Sequence, residues 1–173
     1  MKKILNDYSA YKCLNNKFCG VKLYKNIEKF VNTSVKQIDI DFDVIITVLR
    51  AGLPLGLRLY ELTNKPIGFI SAKRHHDLNI EITYDNIPPF VNPLIVDSWI
   101  ATGSTVLAIQ KYLNLDSVNL FGLITSKQAL ERINPKNYLI GYMADGLDEN
   151  NYLIPPKPFN PRDGGDDLFS RNL

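Results

Sequence analysis

Between Val44 and Met143, five short apolar runs rich in β-branched residues alternate with segments whose apolar residues recur at helical spacing. That alternation constrains the fold more than any other feature. The runs at 44–49, 66–70, 93–97, 117–125 and 138–143 are short enough for buried strands, and 54–63, 105–114 and 127–133 carry amphipathic helical patterns. Pro135 stops the last of these helices. Strands separated by helices pair in parallel, through right-handed crossovers. The expected fold class is therefore α/β, a mostly parallel, doubly wound sheet of about five strands. Its 173 residues suffice for a single domain spanning 1–173. Residues 71–89 break the alternation: Ile80 and Ile82 are spaced by two and Tyr84 precedes Pro88 and Pro89, which reads as a flexible β-hairpin arm. In 1–43, Tyr24, Ile27, Phe30 and Val31 suit one amphipathic helix, placed in a hood or against a second subunit.

Ligands of doubly wound sheets bind at the carboxyl ends of the strands. Two such ends carry chemistry. Leu94, Ile95 and Val96 lead to Asp97, expected at the strand end, and then to Ala101, Thr102, Gly103, Ser104 and Thr105 before a helical pattern resumes at Val106, Ile109 and Leu113. A helix beginning there points free N–H groups and its positive dipole end at the turn. The three hydroxyls add donors, and Gly103 lets backbone approach a ligand. That is a cradle for a phosphate monoester. The acid on its rim suits sugar hydroxyls, so the pair points to a ribose 5-phosphate. The other end is Arg50-Ala51-Gly52, between the run at 44–49 and a helix with Pro54 in its first turn. Arg50 offers a planar, permanently charged donor for phosphate oxygens.

The turn at 101–105 resembles the phosphoribosyl-pyrophosphate loop of the type I phosphoribosyltransferases. The single acid Asp97, preceded by Val96 where many members have a second acid, resembles the uracil phosphoribosyltransferase branch. Arg50-Ala51-Gly52-Leu53 is similar to that branch's pyrophosphate loop. Near the C-terminus, Asp145-Gly-Leu, Tyr152-Leu-Ile-Pro155 and Asp163-Gly-Gly-Asp166 resemble its terminal pattern in the same order. Ser71 to Asp77 is similar to the loop that closes over pyrophosphate, with Arg74 and Lys73 as its cations.

The resemblance spans roughly Val44 to Phe169. It implies transfer of a phosphoribosyl group from phosphoribosyl pyrophosphate to a nucleobase, most simply uracil, giving UMP and pyrophosphate with Mg2+ as cofactor. By position it assigns Asp97 to the ribose hydroxyls, 101–105 to the 5-phosphate, and Arg50, Ala51 and Gly52 with Arg74 or Lys73 to pyrophosphate. Tyr152, the Leu153 backbone and Arg162 fall at the base, within a hood over 144–173, and Asp163 at the magnesium through water. A homodimer also follows from the resemblance. Two departures stand out. Ser104 replaces the phosphate turn's second glycine, and Pro156–Arg162 is a longer, proline-rich link where the family has a short Gly-Leu-Gly-like one, which makes that link the place where another base would be selected.

Composition narrows the alternatives. A net charge of +2 supplies no basic face for nucleic acid or an anionic membrane, which weighs against the superfamily's phosphoribosyl-pyrophosphate-sensing, RNA-binding attenuation regulators. Hydrophobic content of 45% and charged content of 22% are those of an ordinary globular protein. No apolar run approaches the roughly 20 residues of a membrane helix, and the start Met-Lys-Lys-Ile-Leu has no apolar core behind it. Cys13 and Cys19 form neither a metal pattern nor a disulfide framework, so free thiols and a cytoplasmic location are expected. His75 and His76 are adjacent and lack a third ligand at usable spacing, which excludes a transition-metal site there.

Overall fold

The structure is a computed structural model, and it describes residues 1–7, 20–75 and 79–154. Its elements in chain order are β1 (Lys2–Ile4), α1 (Gly20–Ser34), a 3-10 turn (Val35–Gln37), β2 (Ile45–Leu49), α2 (Leu53–Thr63), β3 (Ile67–Arg74), β4 (Ile80–Asn86), β5 (Leu94–Ile100), α3 (Ser104–Tyr112), β6 (Asn119–Thr125), α4 (Lys127–Ile133) and β7 (Asn137–Met143). A small antiparallel pair, β8 (Gly146–Leu147) and β9 (Leu153–Ile154), follows. The main sheet has seven strands in the order β1-β7-β6-β5-β2-β3-β4, parallel throughout except for β4. The expected α/β, doubly wound, mostly parallel sheet is present, two strands larger than its five apolar runs. The additions are the edges: the three-residue β1 beside β7 and the arm strand β4 beside β3.

Alternation along the strands divides the core between the two faces of the sheet. Leu94, Val96, Phe121 and Leu139 face α1 and α2, where they pack with Ile27, Phe30, Val31, Leu55 and Leu59. Ile46, Val48, Ile95, Leu120 and Ile140 face α3 and α4 and pack with Val106, Ile109, Ala129, Leu130 and Ile133. Helix α1 buries Ile27, Phe30 and Val31 as its spacing predicts, while Tyr24 lies outward. At the amino ends of the strands, Asn137 donates to Asn119 (2.9 Å) and Asn119 to Asn92 (2.8 Å) through their side-chain amides, which ties β5, β6 and β7 in register at the end away from the cleft.

The chain reverses direction across the sheet at β2 and β5. From β2 it runs outward through α2 to β3; from β5 it runs the other way through α3, β6 and α4 to β7. The β2–β5 ladder pairs Ile45 with Leu94, Ile46 with Ile95 and Thr47 with Val96, and stops there while both strands continue. The crevice opens at that switch point, where such sheets bind ligands.

Candidate active site

A cavity of about 530 Å³ occupies the crevice. Its walls bring together Arg50 and Ala51 after β2, Arg74 at the end of β3, Asp97 and Trp99 on β5, the whole turn 101–105, and Tyr152 and Leu153 from the small pair. Segments more than one hundred residues apart in sequence therefore share one site.

Strand β5 runs on to Ile100, so Asp97 lies within the strand rather than at its end. The expected position is corrected by three residues. Ser98 and Ile100 are themselves buried and Asp97 pairs with Gly122 of β6, which keeps the strand extended past the acid. Asp97 is 7% exposed yet lines the cavity. Ser98, not anticipated from the sequence, donates from its hydroxyl to the Ala51 carbonyl at 2.5 Å and so ties the arginine loop to the strand bearing the acid. The loop also starts from a cis peptide between Leu49 and Arg50.

Gly52 is not part of the cavity wall. It is buried, and a Cβ there would lie 2.5 Å from the Val96 carbonyl oxygen and 2.7 Å from that of Val48. The absence of a side chain lets the loop sit close against β2 and β5.

The 101–105 turn is braced from behind by α4. Ser126 caps that helix, accepting from Ala129 N–H at 2.9 Å, and its hydroxyl donates to the Ala101 carbonyl at 2.6 Å. Gly103 adopts a left-handed φ of 77°, and a Cβ there would meet Ile133 at 2.8 Å. Thr102 Oγ1 and Ser104 Oγ lie 2.9 Å apart. Helix α3 begins at Ser104, so the turn leads into its amino terminus as the sequence predicts.

Along the arm, Arg74 stands opposite Ile80, and both line the cavity. Lys73 stands opposite Glu81 and alternates to the other side of the hairpin; it is exposed and absent from the cavity wall. The two cations are thus separated, and only Arg74 is brought to the site. His75 Nε2 lies 2.7 Å from Glu81 Oε2 on that other side. At the base of the arm, Tyr112 of α3 donates to Asp85 Oδ2 at 2.6 Å, and this carboxylate, by its hydrogen bond first and its charge second, raises the phenol above its ordinary 10.0.

In the small pair, Asp148 N–H donates to the Tyr152 carbonyl at 2.9 Å and Leu147 stands opposite Leu153. Antiparallel alternation makes Leu147–Leu153 the pair without mutual hydrogen bonds, so the N–H and C=O of Leu153 turn away from β8. Its side chain is 2% exposed and anchored in the core, which fixes that backbone in place. Tyr152 is half-exposed at the cavity mouth. Trp99 was not singled out by the sequence; only its place two residues after Asp97 marked it, and it packs between the α1/α2 core and the cavity. Arg162, Asp163 and the Pro156–Arg162 link lie outside the described residues, as do Cys13, Cys19, His76 and Asp77. Among the described residues no helix is long and apolar enough to cross a membrane, and no three His, Cys, Asp or Glu residues cluster as metal ligands.

A switch-point crevice of this order, with its hydroxyl turn on one strand and its arginine loop on the next, fits the type I phosphoribosyltransferases that the sequence resembles. Within them, the family model described as uracil phosphoribosyltransferase matches residues 10–169, and the chain belongs to that family. It is 31% identical over 140 residues to a hypoxanthine/guanine phosphoribosyltransferase of Methanocella arvoryzae, covering 69% of this chain and 71% of that one. It is 33% identical over 100 residues to the protein of the same description from Methanocella paludicola, covering 50% of this chain and 52% of the other. In fold it is similar to an Aquifex aeolicus protein (24% identity, 88% of each chain, TM-score 0.69) and to a purine phosphoribosyltransferase of Pyrococcus horikoshii (20% identity, 82% and 93%, TM-score 0.56).

Proposed function

We propose that the protein transfers the 5-phosphoribosyl group of phosphoribosyl pyrophosphate to the ring nitrogen of an oxo-nucleobase, with uracil as the first choice. The observation that carries the reading is the crevice itself: one cavity holds a phosphate-sized turn, a buried acid, two arginines and a fixed backbone edge. In this reading Ala101, Thr102, Gly103, Ser104 and Thr105 hold the 5-phosphate and Asp97 accepts from the ribose 2- and 3-hydroxyls. Arg50 and Arg74 bind pyrophosphate, with the Ala51 backbone beside them. The base nitrogen forms its bond to C1 as the C1–oxygen bond breaks, pyrophosphate leaves with the electron pair, and the nitrogen's proton passes to solvent. Such a reaction needs orientation and charge stabilisation rather than covalent catalysis.

Magnesium fits the donor chemistry. A hard cation takes oxygen ligands, and magnesium keeps waters and substrate phosphate oxygens around one or two carboxylates. The described wall carries one carboxylate, Asp97, which would hold such an ion, and the resemblance assigns Asp163, outside the described residues, as a second that would act through water. When bound, the ion neutralises charge developing on the pyrophosphate.

Uracil is favoured by the family match, which extends across the hood, and by the Leu153 backbone turned out of the β8 ladder. Trp99 and Tyr152 offer aromatic surface to a flat ring. A second reading, hypoxanthine or guanine, is favoured by the description of the 31% identical Methanocella arvoryzae relative. Both kinds of base present a lactam edge, a ring N–H beside a carbonyl, that a backbone C=O and N–H can read. The test is pyrophosphate release from phosphoribosyl pyrophosphate and Mg2+ with uracil, hypoxanthine, guanine, xanthine, adenine and orotate offered separately. Release with uracil alone supports the first reading and release with the 6-oxopurines the second. Donor binding without release on any base contradicts both.

A further inference from the structure

Helix α4 supplies the brace behind the phosphate turn, and its last turn carries a cation that the motifs do not include. Arg132 Nη1 donates to Ser104 Oγ at 3.0 Å and to the Thr102 carbonyl at 3.3 Å. Arg132 is not in the cavity wall, whereas Thr102, Gly103 and Ser104 are. We infer that Arg132 is a positioning residue that fixes the direction of the hydrogen-bond donors in the turn toward the donor's 5-phosphate. The inference rests on the proposed use of the turn as a phosphate site.

The argument is one of proton accounting. A guanidinium can only donate, so Ser104 Oγ accepts from Arg132 and keeps its single proton for another partner. Thr102 Oγ1, at 2.9 Å, is one such partner within reach. A phosphate in the cavity offers stronger, charged acceptors, and the hydroxyl turns to them. The second contact acts on the backbone. The peptide is planar and trans, so a Thr102 carbonyl aimed at Arg132 sends the Gly103 N–H to the opposite side. Arg132 is outside the cavity wall and Gly103 is within it, so in this inference the opposite side is the cavity. Without this restraint the Thr102–Gly103 peptide, beside a left-handed glycine, is free to rotate its carbonyl toward the phosphate. The guanidinium also places a full positive charge one hydroxyl away from the dianion.

Calorimetric titration of ribose 5-phosphate and of phosphoribosyl pyrophosphate into the full chain tests this. Arg132 is exposed and outside the core, so its variants are expected to fold, with melting temperatures near the wild type. Arg132→Ala should weaken both ligands about five- to tenfold, the size of one lost hydrogen bond near 1 kcal/mol. Arg132→Lys, which keeps the charge but not the planar fork, should recover part of that loss. In a Ser104→Ala background, Arg132→Ala should cost less than it costs alone, because one of the two groups it acts through is gone while the Thr102 carbonyl remains. In turnover, KM for the donor should rise while kcat stays within about twofold. Unchanged affinity in Arg132→Ala, or full additivity with Ser104→Ala, would overturn the inference and leave the proposed reaction standing. A wild-type chain that binds neither ligand would overturn both.

Discussion

Replacing Gly52 with alanine adds one methyl group at the point where the arginine loop rests on two central strands. Gly52 has φ −72° and ψ −15°, values alanine adopts readily, so the backbone itself is not strained by the change. The shorter list of unfolded conformations would even favour alanine by about 0.4–1 kcal/mol. Sterics oppose it. The new Cβ would lie 2.5 Å from Val96 O, 2.7 Å from Val48 O and 3.2 Å from Val48 N. All three are backbone atoms of paired strands, β2 and β5, with no side chain to swing aside. Overpacking of this kind costs about 1–3 kcal/mol. For a chain of this size each kcal/mol moves Tm by roughly 2–4 °C, so a fall of about 2–12 °C is expected. The loop relieves the clash by lifting off the strands, which carries Arg50 and the Ala51–Ser98 hydrogen bond with it. A displacement near 1 Å at Arg50 is expected to lower kcat/KM by about a hundredfold. Gly146→Ala is the control, because no atom lies within 4 Å of its added Cβ. Scanning calorimetry and pyrophosphate-release kinetics on both variants decide the matter. Equal Tm and equal kinetics in the two would refute the assignment of Gly52 as a steric seat for the loop.

Other perturbations read the remaining parts of the site. Asp97→Asn should weaken donor binding and slow turnover together, by about tenfold or more, as expected for a lost charge-assisted contact; unchanged kinetics would remove the acid from the site. Arg50→Ala should reduce turnover far more than loss of an arginine outside the cavity, and an effect under about twofold would count against its pyrophosphate role. Tyr112, held protonated by Asp85, has a folded pKa above its unfolded value. Its contribution to stability is therefore present below about pH 10 and is lost as pH rises through the folded value. A phenolate absorbance titration, wild type minus Tyr112→Phe, should show this group ionising at higher pH than in Asp85→Asn; coincident curves would dissolve the link between α3 and the arm.

The βαβ units were legible because their residues obey local rules. Buried parallel strands such as Ile45–Leu49 and Asn119–Thr125 read as apolar runs, and Pro54 and Pro135 mark helix boundaries by what their backbones can or cannot bond. Strand β1 was not legible: Lys2-Lys3-Ile4 is short, at an edge and mostly polar, and becomes a strand only because β7 offers it a ladder. The extension of β5 past Asp97 was hidden in the same way, since Ser98 is buried by its bond to Ala51 rather than by being apolar. In the site, the two loops carried their chemistry in their letters. The resemblance put Arg74 ahead of Lys73, and the pairing register of the hairpin places the two on opposite sides of it. Trp99, Ser98 and Arg132 act through contacts with segments distant in sequence, which no local pattern encodes.

The most direct measurement of the central claim is to follow carbon-labelled ribose from phosphoribosyl pyrophosphate, with Mg2+ and uracil present, by mass spectrometry. The account predicts that the label appears in UMP, with one pyrophosphate released for each nucleotide formed. Label that remains in the donor, or passes only to free ribose 5-phosphate whichever of uracil, hypoxanthine and guanine is supplied, would contradict it.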